Sequence, residues 1–302
     1  MKSPESYDYL VLNGLAKLFN ALLDNFTFYA TLPNLPNSET DFAKLLDTIP
    51  TGSEFFDSTI PLNYFSEVYG LILEAQKEKP LSIEIGLNNY KNATNWIIPY
   101  SIPKYTPELT TVIEAVENSQ KSKLIVESDN QPISIPVYPQ FPQLVVNNSL
   151  ENFNRQVIDA VITTTIAFSQ STSQRISFGN WFSSTAFLYA YQTPENWDNS
   201  IISWDDVFNT NTGILKYINS YITVVSDMII EIHISGHYNE DIITMLKSIP
   251  NQVIFPFYQK INASSINYIL EKDQSITIQL VVPKNQNYVF GMQYQEVKNL
   301  LT

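Results

Sequence analysis

Apolar residues recur at helical spacing along the first quarter of the chain and mostly at every second position beyond it. Leu15, Leu18, Phe19, Leu22 and Leu23 fall on one stripe of period 3.6, behind a start in which Ser3 caps and Pro4 takes the first helical position. The run Leu32-Pro33-Asn34-Leu35-Pro36-Asn37 ends that helix. Ser38 and Asp41 then stand at capping-box spacing, Asp replacing the usual Glu, ahead of Phe42, Leu45 and Leu46. A further helix is predicted from Pro61 to about Gln76, burying Phe65, Val68, Tyr69, Ile72 and Leu73, with Pro80 as its stop.

After Pro80 the period shortens. Leu81, Ile83, Ile85 and Leu87 alternate with Ser82, Glu84 and Gly86, which predicts a strand with one buried face. Thr106-Pro107 opens a helix carrying Leu109, Val112, Ile113 and Val116. Strands are predicted at Lys123 to Glu127 and Pro132 to Val137, the second restricted by its prolines to an edge or a bend. The rigid segment Pro136 to Pro142 marks an expected boundary near residue 143. It separates a helix-rich first region with a few strands, 1–143, from a strand-rich α+β region, 144–302, with which it can share one core.

In the second region the pattern predicts a helix over 150–168, a Ser/Thr/Gln turn over Ser169 to Gln174, and a strand pair from Arg175 to Asn180 and Ser184 to Tyr191. Ser203 and Asp206 cap a helix carrying Phe208, Ile214, Leu215 and Ile218, with Gly213 a point at which it can split. Met228, Ile230, Ile232 and Ile234 alternate with Ile229, Glu231, His233 and Ser235. A helix from Glu240 to Lys247, strands from Val253 to Phe257 and along Ile276 to Val282, and a last strand through Tyr288 and Phe290 complete the reading. Segregated helices and strands without regular βαβ units favour an α+β fold: a helical N-terminal region packed with a mixed or antiparallel strand-rich remainder.

Composition narrows the chemistry. There is no cysteine and there are two histidines in 302 residues, which removes thiol nucleophiles, disulfides, Cys-rich zinc sites and multi-imidazole relays. Seventeen basic residues face thirty acidic ones, a net charge of −13, and Arg155 and Arg175 are the only arginines. A polyphosphate partner would meet net repulsion and few guanidinium forks, so nucleic-acid binding is not expected. The chain shows no signal-peptide pattern at Met1 to Glu5 and no apolar run long enough to cross a membrane. A cytoplasmic protein, with release or non-classical export open to it, is the expectation. With so much Asn, the Asn-x-Ser/Thr triplets at Asn25, Asn92, Asn147 and Asn262 are expected by chance. Walker, Rossmann, nucleophile-elbow, HExxH and EF-hand sequences are absent, and no cofactor is expected.

Three constellations remain. Glu231, His233, His237 and Glu240 are the candidate catalytic set, since a strand brings Glu231 and His233 to one face and Gly236 can bend the chain to return the other two. His233 and His237 would be the metal ligands. Trp197, Asp198, Trp204 and Asp205 pair indoles with carboxylates, as a sugar cleft or a two-carboxylate hydrolase does. Trp181, Phe182, Phe257 and Tyr258 lie in aromatic clusters suited to an interface. The expected function is a noncatalytic binding or self-assembling protein with an aromatic, uncharged polar recognition surface, meeting a membrane, a glycan or its own copy. A membrane-active toxin and a metal-dependent or carboxylate-based hydrolase are the alternatives.

Overall fold

The computed structural model describes residues 7–29, 32–53, 55–56, 62–127, 160–209, 211–248 and 266–300. Helix α1 (Tyr7–Leu18), strand β1 (Phe26–Phe28) and helices α2 (Glu39–Asp47), α3 (Phe65–Glu74) and α4 (Leu81–Lys91) lead to a hairpin of β2 (Trp96–Ile98) and β3 (Ile102–Pro103). Next come β4 (Tyr105–Thr106), α5 (Leu109–Glu117) and β5 (Ser122–Glu127). The described chain resumes with β6 (Ile162–Arg175), β7 (Ser177–Phe178), α6 (Ser184–Gln192), α7 (Trp204–Phe208) and β8 (Tyr217–Ile234). Helix α8 (Glu240–Ser248) and strands β9 (Ile266–Leu270), β10 (Ile276–Val281) and β11 (Asn287–Glu296) follow. The fold is α+β, helices first and an antiparallel strand-rich part later.

Strand β8 organises the molecule. One edge pairs with β6 along Tyr221 to Ile234. The other edge serves two strands in succession, β11 along Tyr217 to Ser226 and β10 along Ile229 to Ile234. The change of partner falls at Asp227, a non-glycine residue with φ of 48° whose carboxylate accepts from the Asn285 N–H at 2.8 Å. Strand β5 extends the sheet beside β6, β1 pairs with β11 and β9 with β10, so strands from both ends of the chain share one sheet.

Each face of that sheet carries a core. Val225, Met228, Ile230 and Phe290 pack with Val11, Leu12 and Leu15 of α1 and with Ile243 and Leu246 of α8. On the opposite face Ile222, Val224, Val289 and Met292 pack with residues of α2, α3, α5 and α6. Period-2 geometry sends alternate side chains into these two layers, which is why Ile222 to Ser226 are all buried. Among the described residues no helix is long and apolar enough to cross a membrane.

Several elements match the sequence pattern: the Ser38-capped α2, α3 within its predicted range, α5, β5, α8, β10, β11 and the Met228–Ile234 half of β8. Others differ. Leu81 to Leu87 form a helix, because Ile83, Gly86, Leu87 and Tyr90 share a helical stripe while Leu81 and Ile85 are exposed. Ser184 to Tyr191 also form a helix, its buried face marked by Ala186, Phe187 and Ala190 and its start capped by Ser183. Residues 162–168 are strand, burying Ile162, Thr164, Ile166 and Phe168 alternately, and the predicted Ser/Thr/Gln turn continues that strand along β8. Helix α7 ends at Phe208, Ile218 belongs to β8, and α1 stops at Leu18, leaving Leu22 exposed. The expected strands at 132–137 and 253–257, the start at Ser3-Pro4 and the boundary near 143 lie outside the described residues.

Candidate functional site

The histidine cluster divides among separate partners. His233 Nδ1 lies 3.3 Å from Thr277 Oγ1, and that hydroxyl in turn donates to Glu271 Oε1 at 2.8 Å. With the threonine proton directed to the carboxylate, Nδ1 of the imidazole is the donor in this contact. Glu231 instead accepts from Gln279 Nε2 at 2.9 Å, across the β8–β10 pairing. Gly236, with φ of +154°, does turn the chain, but His237 then sits exposed with Nδ1 3.1 Å from Gln274 Oε1, and Glu240 is exposed at the start of α8. Among the described residues no three His, Asp or Glu side chains are grouped so that they could hold a metal ion.

The tryptophans are framework. Trp181 and Trp197 are fully buried, so their rings lie in the core instead of presenting a recognition surface. Trp181 Nε1 donates to the Lys104 carbonyl at 2.8 Å. Trp197 and Trp204 donate to the carbonyls of Ala190 and Tyr191, at 2.8 and 2.9 Å, filling acceptors that the last turn of α6 leaves open. Phe182 and Trp204 are half-buried. Asp198 holds a turn by accepting from the Ser200 hydroxyl and N–H, which keeps its carboxyl below the ordinary range, and Asp205 is exposed in the first turn of α7. Phe257 and Tyr258 lie outside the described residues.

A cavity of about 210 Å³ opens where β1, residues 48–51, Phe56 and residues 62–63 meet the start of β8 and Met292 of β11. Its apolar wall includes Ile49, Phe56, Leu62, Ile214, Tyr217 and Met292, and its polar lining residues include Thr27, Tyr29, Thr48, Asn63, Lys216 and Asn219. The surrounding loop is pinned at several points. Thr27 Oγ1 donates to the Ser53 carbonyl at 2.7 Å, the Ile49 N–H to the Asn63 carbonyl at 2.9 Å, and Tyr294 Oη to Asp24 and Gly52 carbonyls. Gly52 has φ of +76°, and a Cβ there would meet the Tyr217 ring at 2.4 Å, so only glycine lets this loop close on that ring.

Two buried polar residues line this space with hydrogen-bonding capacity to spare. Tyr29, 5% exposed, stacks on Phe56 with ring centroids 4.8 Å apart, and its hydroxyl has no hydrogen-bond partner among the described residues. Burial pushes that phenol well above its ordinary pKa, so it is a neutral donor at physiological pH. Asn219, 8% exposed, donates its amide N–H groups to the Thr48 carbonyl at 2.7 Å and to the Leu46 carbonyl at 3.4 Å. Its Oδ1 accepts nothing from the described residues. An unsatisfied buried polar group costs about 1–3 kcal/mol, a cost that a bound molecule offering the complementary atoms would offset.

The chain matches no protein-family model, no curated protein and no solved structure. The site therefore stands on its own geometry. Sequence pattern singles out neither Tyr29 nor Asn219, since the residues that line the cavity come from four separated stretches. The usable signal was the break of period between Phe28 and Phe42, where Pro and Asn interrupt the helices and leave an aromatic residue at a strand end.

Proposed function

We propose that this is a noncatalytic binding protein whose ligand is a small molecule held in the cavity beside Tyr29 and Asn219. The observation that carries the reading is Tyr29, which lines that cavity and whose buried, neutral hydroxyl has no hydrogen-bond partner among the described residues. Mostly apolar lining with a few fixed polar groups is the usual make-up of a ligand pocket. Absence of cysteine and the separate partners of His233 and His237 support binding over metal or thiol chemistry.

The reading is tested by thermal shift with single-ring compounds: phenol, benzaldehyde, benzamide and benzoate. At least one is expected to raise the Tm of the wild type and to lose that effect in Ile214→Trp and Leu62→Trp, which fill the cavity and its mouth. If none of the set stabilises the wild type at millimolar concentration, the reading fails.

A second reading, recognition of a glycan or membrane surface, draws on Tyr100 at the turn of the β2–β3 hairpin. Tyr100 is 60% exposed, holds φ of 60° and donates its hydroxyl to the Lys91 carbonyl at 3.0 Å, so its ring is held in place while exposed, and Ile98 of the same hairpin is exposed too. Loss of vesicle or glycan-array binding in Tyr100→Ser would support it, and equal signals from both proteins would contradict it.

A further inference from the structure

Independently of the cavity, we propose that Tyr105 and Asp47 form a redox-active tyrosine–carboxylate pair, which a one-electron oxidant in solution reaches through Tyr100, Trp96 and Trp181.

The route is a series of oxidisable rings in contact. Tyr100 is exposed on the β2–β3 turn, and its ring centroid lies 6.2 Å from that of Trp96. Trp96 is 6.1 Å from Trp181, and Trp181 is 5.6 Å from Tyr105. In a chain without cysteine, indole and phenol rings are the side chains that lose a single electron most readily. Both indoles donate their N–H to backbone carbonyls, Trp96 to Tyr90 at 2.7 Å and Trp181 to Lys104 at 2.8 Å. A carbonyl accepts a hydrogen bond but is too weak a base to take the proton, so neither indole is deprotonated and the electron vacancy moves on.

Tyr105 is where it comes to rest. Tyr69 and Tyr100 of the same aromatic cluster donate to the carbonyls of Ser183 and Lys91, whereas Tyr105 donates to a carboxylate at 2.6 Å. A phenol that has lost an electron becomes a strong acid, so the ring already bonded to a base is the easiest to oxidise. The oxidant is reduced by one electron, Trp96 and Trp181 relay the vacancy, the Tyr105 ring supplies the electron, and its hydroxyl proton crosses to Asp47 Oδ1. What remains is a neutral phenoxyl radical bonded to a neutral carboxylic acid. Burial favours that outcome, because it disfavours the Asp47 carboxylate and raises its pKa to about 6, and the transferred proton discharges the group inside the core. Tyr105 is itself buried, which keeps the radical from reductants in solution.

Flash photolysis of the full chain with a ruthenium tris-bipyridine photo-oxidant and a sacrificial cobalt(III) acceptor tests the proposal at about pH 8, where Asp47 is ionised. Transient absorption and freeze-quench electron paramagnetic resonance should show a long-lived phenoxyl radical coupled to one exchangeable, hydrogen-bonded proton. Tyr105→Phe should remove that long-lived signal, and Asp47→Asn and Trp96→Phe should each slow its formation by at least about tenfold, with circular dichroism showing each variant folded. A wild type that forms no long-lived phenoxyl, or a signal that survives Tyr105→Phe, overturns the proposal. Formation at the wild-type rate in Asp47→Asn overturns the proton transfer, and the same result in Trp96→Phe overturns the route. Should a variant fail to fold, the wild type alone decides: a radical without the exchangeable proton coupling contradicts the pair.

Discussion

The Tyr105 hydroxyl donates to Asp47 Oδ1 across 2.6 Å, at a carboxylate that is 2% exposed and lies one residue from the cavity wall. Asp47 also accepts from the Ser66 hydroxyl at 2.6 Å and the Ser66 N–H at 2.9 Å, so one buried acid ties the end of α2 to the start of α3 and to β4. Burial raises its carboxyl to about 6; the bonds from the Ser66 hydroxyl, Tyr105 and the Ser66 N–H pull the other way, and Glu67 adds a smaller upward push.

That shift has a definite sign. The folded pKa lies above the unfolded value, so the folded state holds the proton more tightly, and this group stabilises the fold as pH falls from about 7 to about 4. About two units correspond to roughly 3 kcal/mol. Urea unfolding of the wild type and Asp47→Asn across that range should show the wild type gaining on the variant as pH falls. A difference in stability that stays constant with pH would contradict it.

Trp197→Phe should cost about 1–3 kcal/mol, because the ring volume is mostly kept while the Ala190 carbonyl at the end of α6 loses its indole donor. Chemical denaturation measures the loss. Self-association, followed by analytical ultracentrifugation, should be unchanged, since the ring is buried; an altered oligomeric state at full stability would return it to a surface role.

Gly86→Ala should destabilise by about 1–3 kcal/mol although alanine is the better helix former. A Cβ at this position of α4 would lie 2.7 Å from the Ala186 Cβ of α6 and 3.0 Å from a Leu73 methyl of α3. A rise in Tm on making this substitution would contradict the close packing of these three helices.

The same glycine shows how far the fold was legible. A helix packed through a side-chain-free position leaves no apolar mark there, so Leu81, Ile83, Ile85 and Leu87 read as a strand, and Ala186 and Ala190 hide the buried face of α6 in the same way. Where large side chains mark the buried face, as at Phe65 to Leu73, Val112 to Val116 and Met228 to Ile234, pattern and structure agree. Local polar signals were legible too: both limbs of the Ser203–Asp206 capping box form. The cavity was not, because Thr27 and Met292 are neighbours only through the register of β1 on β11, and Asn219 reaches Thr48 across the fold.

Methyl NMR offers the most direct test of the cavity as a binding site. Met292 lines it, whereas Met228 lies in the core on the other face of the sheet. In protein labelled at methionine methyls, titration with benzoate or benzamide should move the Met292 resonance saturably, by ring-current shift, while Met228 stays in place. A Met292 resonance unmoved at saturating concentrations of both compounds would contradict the account.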